Sequence, residues 1–215
     1  MTTGHEAHDR HVERFGRWAR SYDSSPLQRV LFGPIQKQIV ERAASVSPAP
    51  GSILDVGCGT GQLLGRMARS FPQARLVGVD PAAGMIAAAR ASASRDSRAT
   101  FVEAYAESLP FEDATFGLVT TTMSFHHWSD QPAALREVAR VLAPGGAFLL
   151  ADALAAGWFS WIFVRHGHGT FNTPDRLGEM FGEAGFVCKG FERVDGLGGT
   201  IQIAIGRAPA PSVDG

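Results

Sequence analysis

The stretch Ile53-Leu-Asp-Val-Gly-Cys-Gly-Thr-Gly-Gln-Leu-Leu64 runs an apolar strand into three alternating glycines and then into an amphipathic helix. Gly57, Gly59 and Gly61 tolerate backbone angles that a Cβ forbids, and they let the main chain approach a ligand closely. The helix that follows offers unpaired N–H groups at its start. About 20 residues further on, Leu76-Val-Gly-Val-Asp80 reads as a second strand ending in a carboxylate, the arrangement that holds ribose hydroxyls in nucleotide-cofactor folds. The two segments together read as a nucleotide-cofactor loop.

Glycine spacing separates two cofactors that share this architecture. In the dinucleotide pattern G-x-G-x-x-G the third glycine would fall at position 62, which is Gln62. Asp55, Gly57, Gly59 and Gly61 instead form D-x-G-x-G-x-G, which resembles the first motif of class I S-adenosylmethionine-dependent methyltransferases. Three further segments are similar to that family: Val77-Gly-Val-Asp-Pro-Ala-Ala-Gly-Met-Ile86, Ala106-Glu-Ser-Leu-Pro-Phe111 and Leu142-Ala-Pro-Gly-Gly-Ala-Phe-Leu-Leu150. The resemblance spans roughly residues 50 to 152 and is strongest to the small-molecule branch that includes ubiquinone and menaquinone biosynthesis enzymes. It implies an α/β fold with a doubly wound, mostly parallel seven-stranded sheet, and S-adenosyl-L-methionine as cofactor.

Composition narrows the function classes. A chain of 215 residues suits one α/β domain with a sizeable core. A net charge of −1 and a pI near 6.7 supply no basic field for a phosphate backbone, which disfavours a nucleic-acid partner. Two cysteines, Cys58 and Cys188, give neither a metal-binding spacing nor a disulfide framework, so no metal site is expected and a cytoplasmic location is the simplest reading. His5, His8 and His11 share a helical spacing near the N-terminus, and a solvated helix face explains them better than a metal clip. No apolar run is long enough for an integral membrane segment.

Strand and helix signals alternate along the chain. Residues 1–48 read as an N-terminal helical lid, with Phe15, Trp18, Ala19 and Tyr22 at helical spacing and Ser25-Pro26 starting a second helix that ends near Val46. Residues 49–207 form the cofactor domain. Its strands are expected near 52–56, 75–79, 99–103, 116–121 and 146–152, its helices near 61–70, 82–93 and 131–142. An acceptor-site insert, about 153–172, carries the aromatic run Trp158, Phe159, Trp161, Ile162 and Phe163. Thr173-Pro174 caps a helix to about Ala184, and 186–194 with 200–205 form a closing antiparallel hairpin. The Pro-rich tail 208–215 is expected to be disordered.

The resemblance assigns roles residue by residue. The three glycines pack beneath the methionyl and ribose parts of the cofactor. Asp55 either braces the loop or meets the cationic amino end. Asp80, followed by Pro81, accepts from the ribose hydroxyls, and Met85 packs on adenine. Ala106 and Glu107 lie in the adenine loop, where Tyr105 stands in place of the usual acidic residue, so Glu107 is either an adenine acceptor or a solvated charge. Gly117 likewise replaces a usual Asp. Thr122 and Met123 reach the methionyl end through their backbone, and Tyr22 is either the family's lid tyrosine or a core aromatic.

Chemistry is expected beyond the fourth strand, where His126 and His127 are candidate general bases or structural residues. Trp18, Trp158, Arg165, His166 and His168 are candidates for the acceptor pocket, whose aromatic character favours a small, largely apolar acceptor. Methyl transfer to O or C is preferred over N. Two other readings stand beside it: a lipid-headgroup methyltransferase at a membrane surface, and a non-catalytic cofactor-binding regulator. A homodimer is compatible with each.

Overall fold

The computed structural model describes residues 26–93, 98–154, 170–195 and 201–210. Seven strands form one sheet: β1 (Ser52–Val56), β2 (Arg75–Asp80), β3 (Ala99–Glu103), β4 (Phe116–Thr122), β5 (Leu142–Ala153), β6 (Val187–Arg193) and β7 (Ile201–Arg207). Their order is β3-β2-β1-β4-β5-β7-β6. β1 to β5 are parallel, whereas β7 runs antiparallel to both β5 and β6. The strand order reverses between β1 and β4, so a crevice opens at their carboxyl ends.

Alternation along the strands builds two cores. Leu54, Val77, Val119 and Phe148 face one side; Ile53, Leu76, Leu118 and Leu149 face the other. The first side is covered by helices α4 (Gln131–Val141) and α5 (Pro174–Glu183), through Leu135 and Leu177. The second is covered by α1 (Pro26–Val46), α2 (Gln62–Ser70) and α3 (Ala83–Ser92), through Ile35, Leu64 and Ile86. All of these side chains are almost wholly buried, and each contributes about 1.5–3 kcal/mol relative to an exposed position.

Local signals explain where the elements stop and start. α5 begins at Pro174 after Thr173, whose Oγ1 accepts from the Arg176 N–H. Asp130 caps α4 in the same way, accepting from the Ala133 N–H. α1 tolerates Pro34 in its interior while Ile35, Ile39 and Ala43 keep one face on the sheet. The strand expected at 146–152 is longer: β5 starts at Leu142, and the pairing with β4 shifts register between Phe116 and Leu118 to accommodate Pro144-Gly145-Gly146. Gly145 adopts φ +72° there.

The tail expected to be disordered from residue 208 departs from that reading at its first two residues. Ala208 donates to the Gly146 carbonyl, and the Pro209 carbonyl accepts from the Gly145 N–H, so the β5 bulge holds both. No helix among the described residues is long and apolar enough to cross a membrane.

Candidate functional site

The three glycines of the loop serve different needs. Gly57 and Cys58 donate from their backbone to the Val79 carbonyl, which ties the turn after β1 to β2. Gly57 has φ +72°, and a Cβ there would lie 1.9 Å from the Ser124 hydroxyl. Gly61, at φ +79°, is pressed against the Phe101 ring, 2.8 Å from where its Cβ would be. Gly59 also has a positive φ, +53°, yet no atom of the described residues lies within 4 Å of a Cβ built on it. Packing therefore explains Gly57 and Gly61, whereas the bare α-carbon of Gly59 faces open space.

That space is a cleft of about 450 Å³ including its open mouth. Its floor is Gly57, Cys58 and Gly59, its flank Thr60, Gln62 and Leu63 at the start of α2. Asp55 and Thr122 close it from the ends of β1 and β4, and Phe32 and Gln36 of α1 form the far wall. α2 starts after Gly61, which offers no side-chain cap. Gly61 itself is not part of the cleft wall.

Two carboxylates set the electrostatics. Asp55, 2% exposed, accepts from the Thr120 hydroxyl at 2.9 Å, and Thr120 is its register partner on β4. Burial pushes its carboxyl up to about 7; the Thr120 bond opposes the shift and the nearby Asp80 adds to it. Asp80 accepts from the Gly59 N–H and the Ala82 N–H, each at 2.9 Å, so it ties the loop to the turn that opens α3. Its carboxyl is also raised, chiefly by burial, against the lowering effect of those two bonds. Burial, with the two carboxylates adding to it, pushes the Cys58 thiol well up as well.

Of the other cofactor candidates among the described residues, only Thr122 lines this cleft; Pro81, Met85, Ala106, Glu107 and Met123 do not. Pro81 is half-buried in the turn before α3, and Met85 is buried on α3. Ala106 is buried within the sheet's first core. Glu107 Oε1 accepts from the Ser129 N–H and hydroxyl and from the Asp130 N–H, clamping the start of α4. Tyr105 is 40% exposed. Met123 takes φ +52°, an unusual value for a side chain of that size, and donates to the Ala151 carbonyl. The hydroxyl of Thr122 is buried without a hydrogen-bond partner among the described residues.

The segment after β4 turns through a short 3-10 helix, Phe125–His127. His126 Nδ1 lies 2.7 Å from Asp152 Oδ1, and the His126 backbone N–H donates to Oδ2 at 3.1 Å. Asp152, 1% exposed at its side chain, also accepts from the Ala153 N–H. An ionised carboxylate there accepts the Nδ1 proton and leaves Nε2 as the basic nitrogen. The imidazole stacks on Phe171 at 4.8 Å and tilts against His127 at 3.9 Å. Gln131 fixes this corner by donating to the Phe125 and Thr170 carbonyls, and Thr170 donates to the His126 carbonyl.

Asp152, Phe171, Gln131, Phe32 and Gln36 were not singled out by the sequence reading. Trp18, Tyr22, Trp158, Arg165, His166 and His168 lie outside the described residues. Among the described residues no group of three ligating side chains is placed to hold a metal ion.

A glycine cradle at the reversal point of a doubly wound sheet, with a strand-end carboxylate bound to it, defines a Rossmann-like nucleoside-cofactor domain. Comparison with known proteins specifies the class further. Residues 53–146 match the family model described as a methyltransferase domain. A demethylmenaquinone methyltransferase of Symbiobacterium thermophilum is 31% identical over 230 residues, covering 90% of each chain. A malonyl-acyl-carrier-protein O-methyltransferase of Geobacter sulfurreducens is 38% identical over 141 residues, covering 64% of this chain and 50% of that relative. Against the latter enzyme, this chain spans about half the relative's length. An O-methyltransferase family protein of Burkholderia thailandensis has the same fold, with a TM-score of 0.77 at 20% identity over 92% of this chain and 62% of that one. The chain belongs to the S-adenosylmethionine-dependent methyltransferases, and S-adenosylmethionine is its cofactor.

The residues present fit that cofactor. Gly59 leaves a cradle that a Cβ would fill, and two carboxylates suit a ligand that carries a sulfonium and an ammonium.

Proposed function

We propose that this enzyme methylates an oxygen or carbon nucleophile of a small, largely apolar or aromatic acceptor, with His126 as general base. The observation that carries the proposal is the Asp152–His126 pair, which lies four residues beyond the cleft-lining Thr122. Bound cofactor supplies a methyl group made electrophilic by positively charged sulfur. The chain's own residues do the remaining work. Asp80 and the glycine loop seat the nucleoside, and Asp55 faces the cationic amino end. Nε2 of His126 takes the acceptor's proton, while Asp152 holds the productive tautomer and offsets the charge that develops on the ring. Holding the acceptor in line with the methyl group supplies much of the acceleration.

A relative named for a quinone precursor supports this range of acceptors. A carboxylate acceptor is the second reading, favoured by the 38% identity to the malonyl-acyl-carrier-protein enzyme. The two readings part on the base, because a carboxylate is already ionised and needs none. Mass spectrometry of a panel of hydroxyquinones, phenols and carrier-bound acids, incubated with trideuteromethyl cofactor, tests the proposal. A labelled product whose formation collapses in His126→Ala supports the base-assisted reading. A labelled acid formed equally well without His126 supports the second, and no labelled product from any class counts against both.

A further inference from the structure

We propose that Gln36 reads the carboxylate at the amino-acid end of the cofactor, making the first long helix part of the ligand site. The inference rests on the cofactor reading above and names a residue and contact it leaves open. Gln36 lies on α1, outside the glycine motif, and lines the cleft that holds Asp55 and Gly59. It is only 7% exposed, a polar side chain beside the apolar stripe of Ile35, Ile39 and Ala43 that docks the helix on the sheet. Burying a primary amide there is costly unless its polar atoms are satisfied.

Half of that need is met inside the protein. The Arg66 Nε–H donates to Gln36 Oε1 at 2.9 Å. Arginine only donates, so the contact fixes the amide's orientation: oxygen toward Arg66, nitrogen away from it. Among the described residues Nε2 makes no hydrogen bond, and it is not one of the sealed side-chain atoms left without a partner, so it keeps access to the cleft. The group left for a ligand is thus a pure donor, and a cationic neighbour pulling on the amide oxygen strengthens it as one. A donor of this kind selects an acceptor, and the cofactor's amino-acid end offers a carboxylate beside its ammonium. Asp55 in the same cleft is the complementary acceptor for the ammonium. Phe32, one helical turn before Gln36, walls the cleft with an apolar surface and keeps this exchange from being diluted by water.

Calorimetric titration with S-adenosylmethionine and with its decarboxylated analogue, which keeps the sulfonium and ammonium, isolates the contact. Gln36→Glu preserves the acceptor for Arg66 and replaces the donor with a negative charge. It is expected to weaken S-adenosylmethionine about tenfold or more and to leave the decarboxylated compound within about twofold. Gln36→Leu, which removes the donor without adding charge, gives the same comparison if the charged variant melts at a much lower temperature. Equal losses for the two ligands, or no loss for either, would overturn the role of Gln36 while leaving the cofactor reading standing. A wild-type protein that binds neither ligand would instead bring down the cofactor reading, and this inference with it.

Discussion

Asp152 accepts twice from His126, from the backbone N–H at 3.1 Å and from the ring Nδ1 at 2.7 Å, so one buried carboxylate fixes both the position and the tautomer of that histidine. The Asp152→Asn variant keeps the shape but presents a group that disfavours the Nδ1-protonated ring. Turnover is expected to fall about 10²–10⁴-fold, as does that of His126→Ala, with cofactor affinity held within about twofold. Nitrogen NMR of the ring should show the proton moving from Nδ1 toward Nε2 in the Asn variant. Unchanged turnover in both variants would reduce the pair to a structural clamp.

Asp55 predicts a pH dependence of stability whose sign is fixed by its environment. Its carboxyl titrates near 7 in the folded protein against an ordinary value of 3.8, so between those values the folded chain keeps a proton that the unfolded chain has lost. Stability contributed at low pH is therefore lost as pH rises through that window, by roughly 4 kcal/mol in all, and is level above it. Asp55→Asn should flatten this part of the profile when melting temperature is followed across it. Binding of a cationic cofactor favours the ionised form, so just below pH 7 the wild type should release a proton on binding and the Asn variant should not. Binding heats measured in buffers of different ionisation enthalpy read that proton directly.

Most of the sheet was legible because each strand carries its own signal. Ile53–Val56 and Leu76–Val79 are mostly apolar stretches followed by Gly57 and Asp80, and Thr173-Pro174 announces a helix in two residues. The site was legible only where a local motif encodes it. Asp152 is 26 residues from His126 and looks like the last residue of an ordinary strand until β4 and β5 lie side by side. Gln36 belongs to a helix whose facing toward the glycine loop is decided by the packing of Ile35 and Ile39, not by any pattern around Gln36 itself. The partners of Glu107, Ser129 and Asp130, were not legible for the same reason, since they come from a different loop.

Asp80 braces the loop with both of its carboxylate oxygens, the same atoms proposed to receive the ribose hydroxyls. Asp80→Ala leaves the Gly59 and Ala82 N–H groups without their acceptor, so it should lower stability by about 1–3 kcal/mol and also weaken S-adenosylhomocysteine several-fold or more. Chemical denaturation and calorimetry on one preparation separate the two losses. Weakened folding with intact ligand affinity would confine this residue to bracing the loop.

Gly57 and Gly59 have similar backbone angles but different surroundings, and alanine at each position should fail in a different way. At Gly57 the new methyl carbon would fall 1.9 Å from the Ser124 hydroxyl and 2.5 Å from its Cβ, a collision that rotation of the hydroxyl cannot relieve. Gly57→Ala is therefore expected to unfold at a sharply lower temperature, because the 3-10 turn carrying His126 must move with Ser124. At Gly59 the methyl meets nothing, so the cost to the free protein is the left-handed backbone alone, about 1–2 kcal/mol. The Gly59→Ala protein should fold and still lose cofactor affinity at least tenfold, since the methyl fills the cradle. Thermal melts with and without S-adenosylhomocysteine decide the matter: a Gly59→Ala protein stabilised by the ligand as much as wild type would show that the open space above this glycine is not where the cofactor lies.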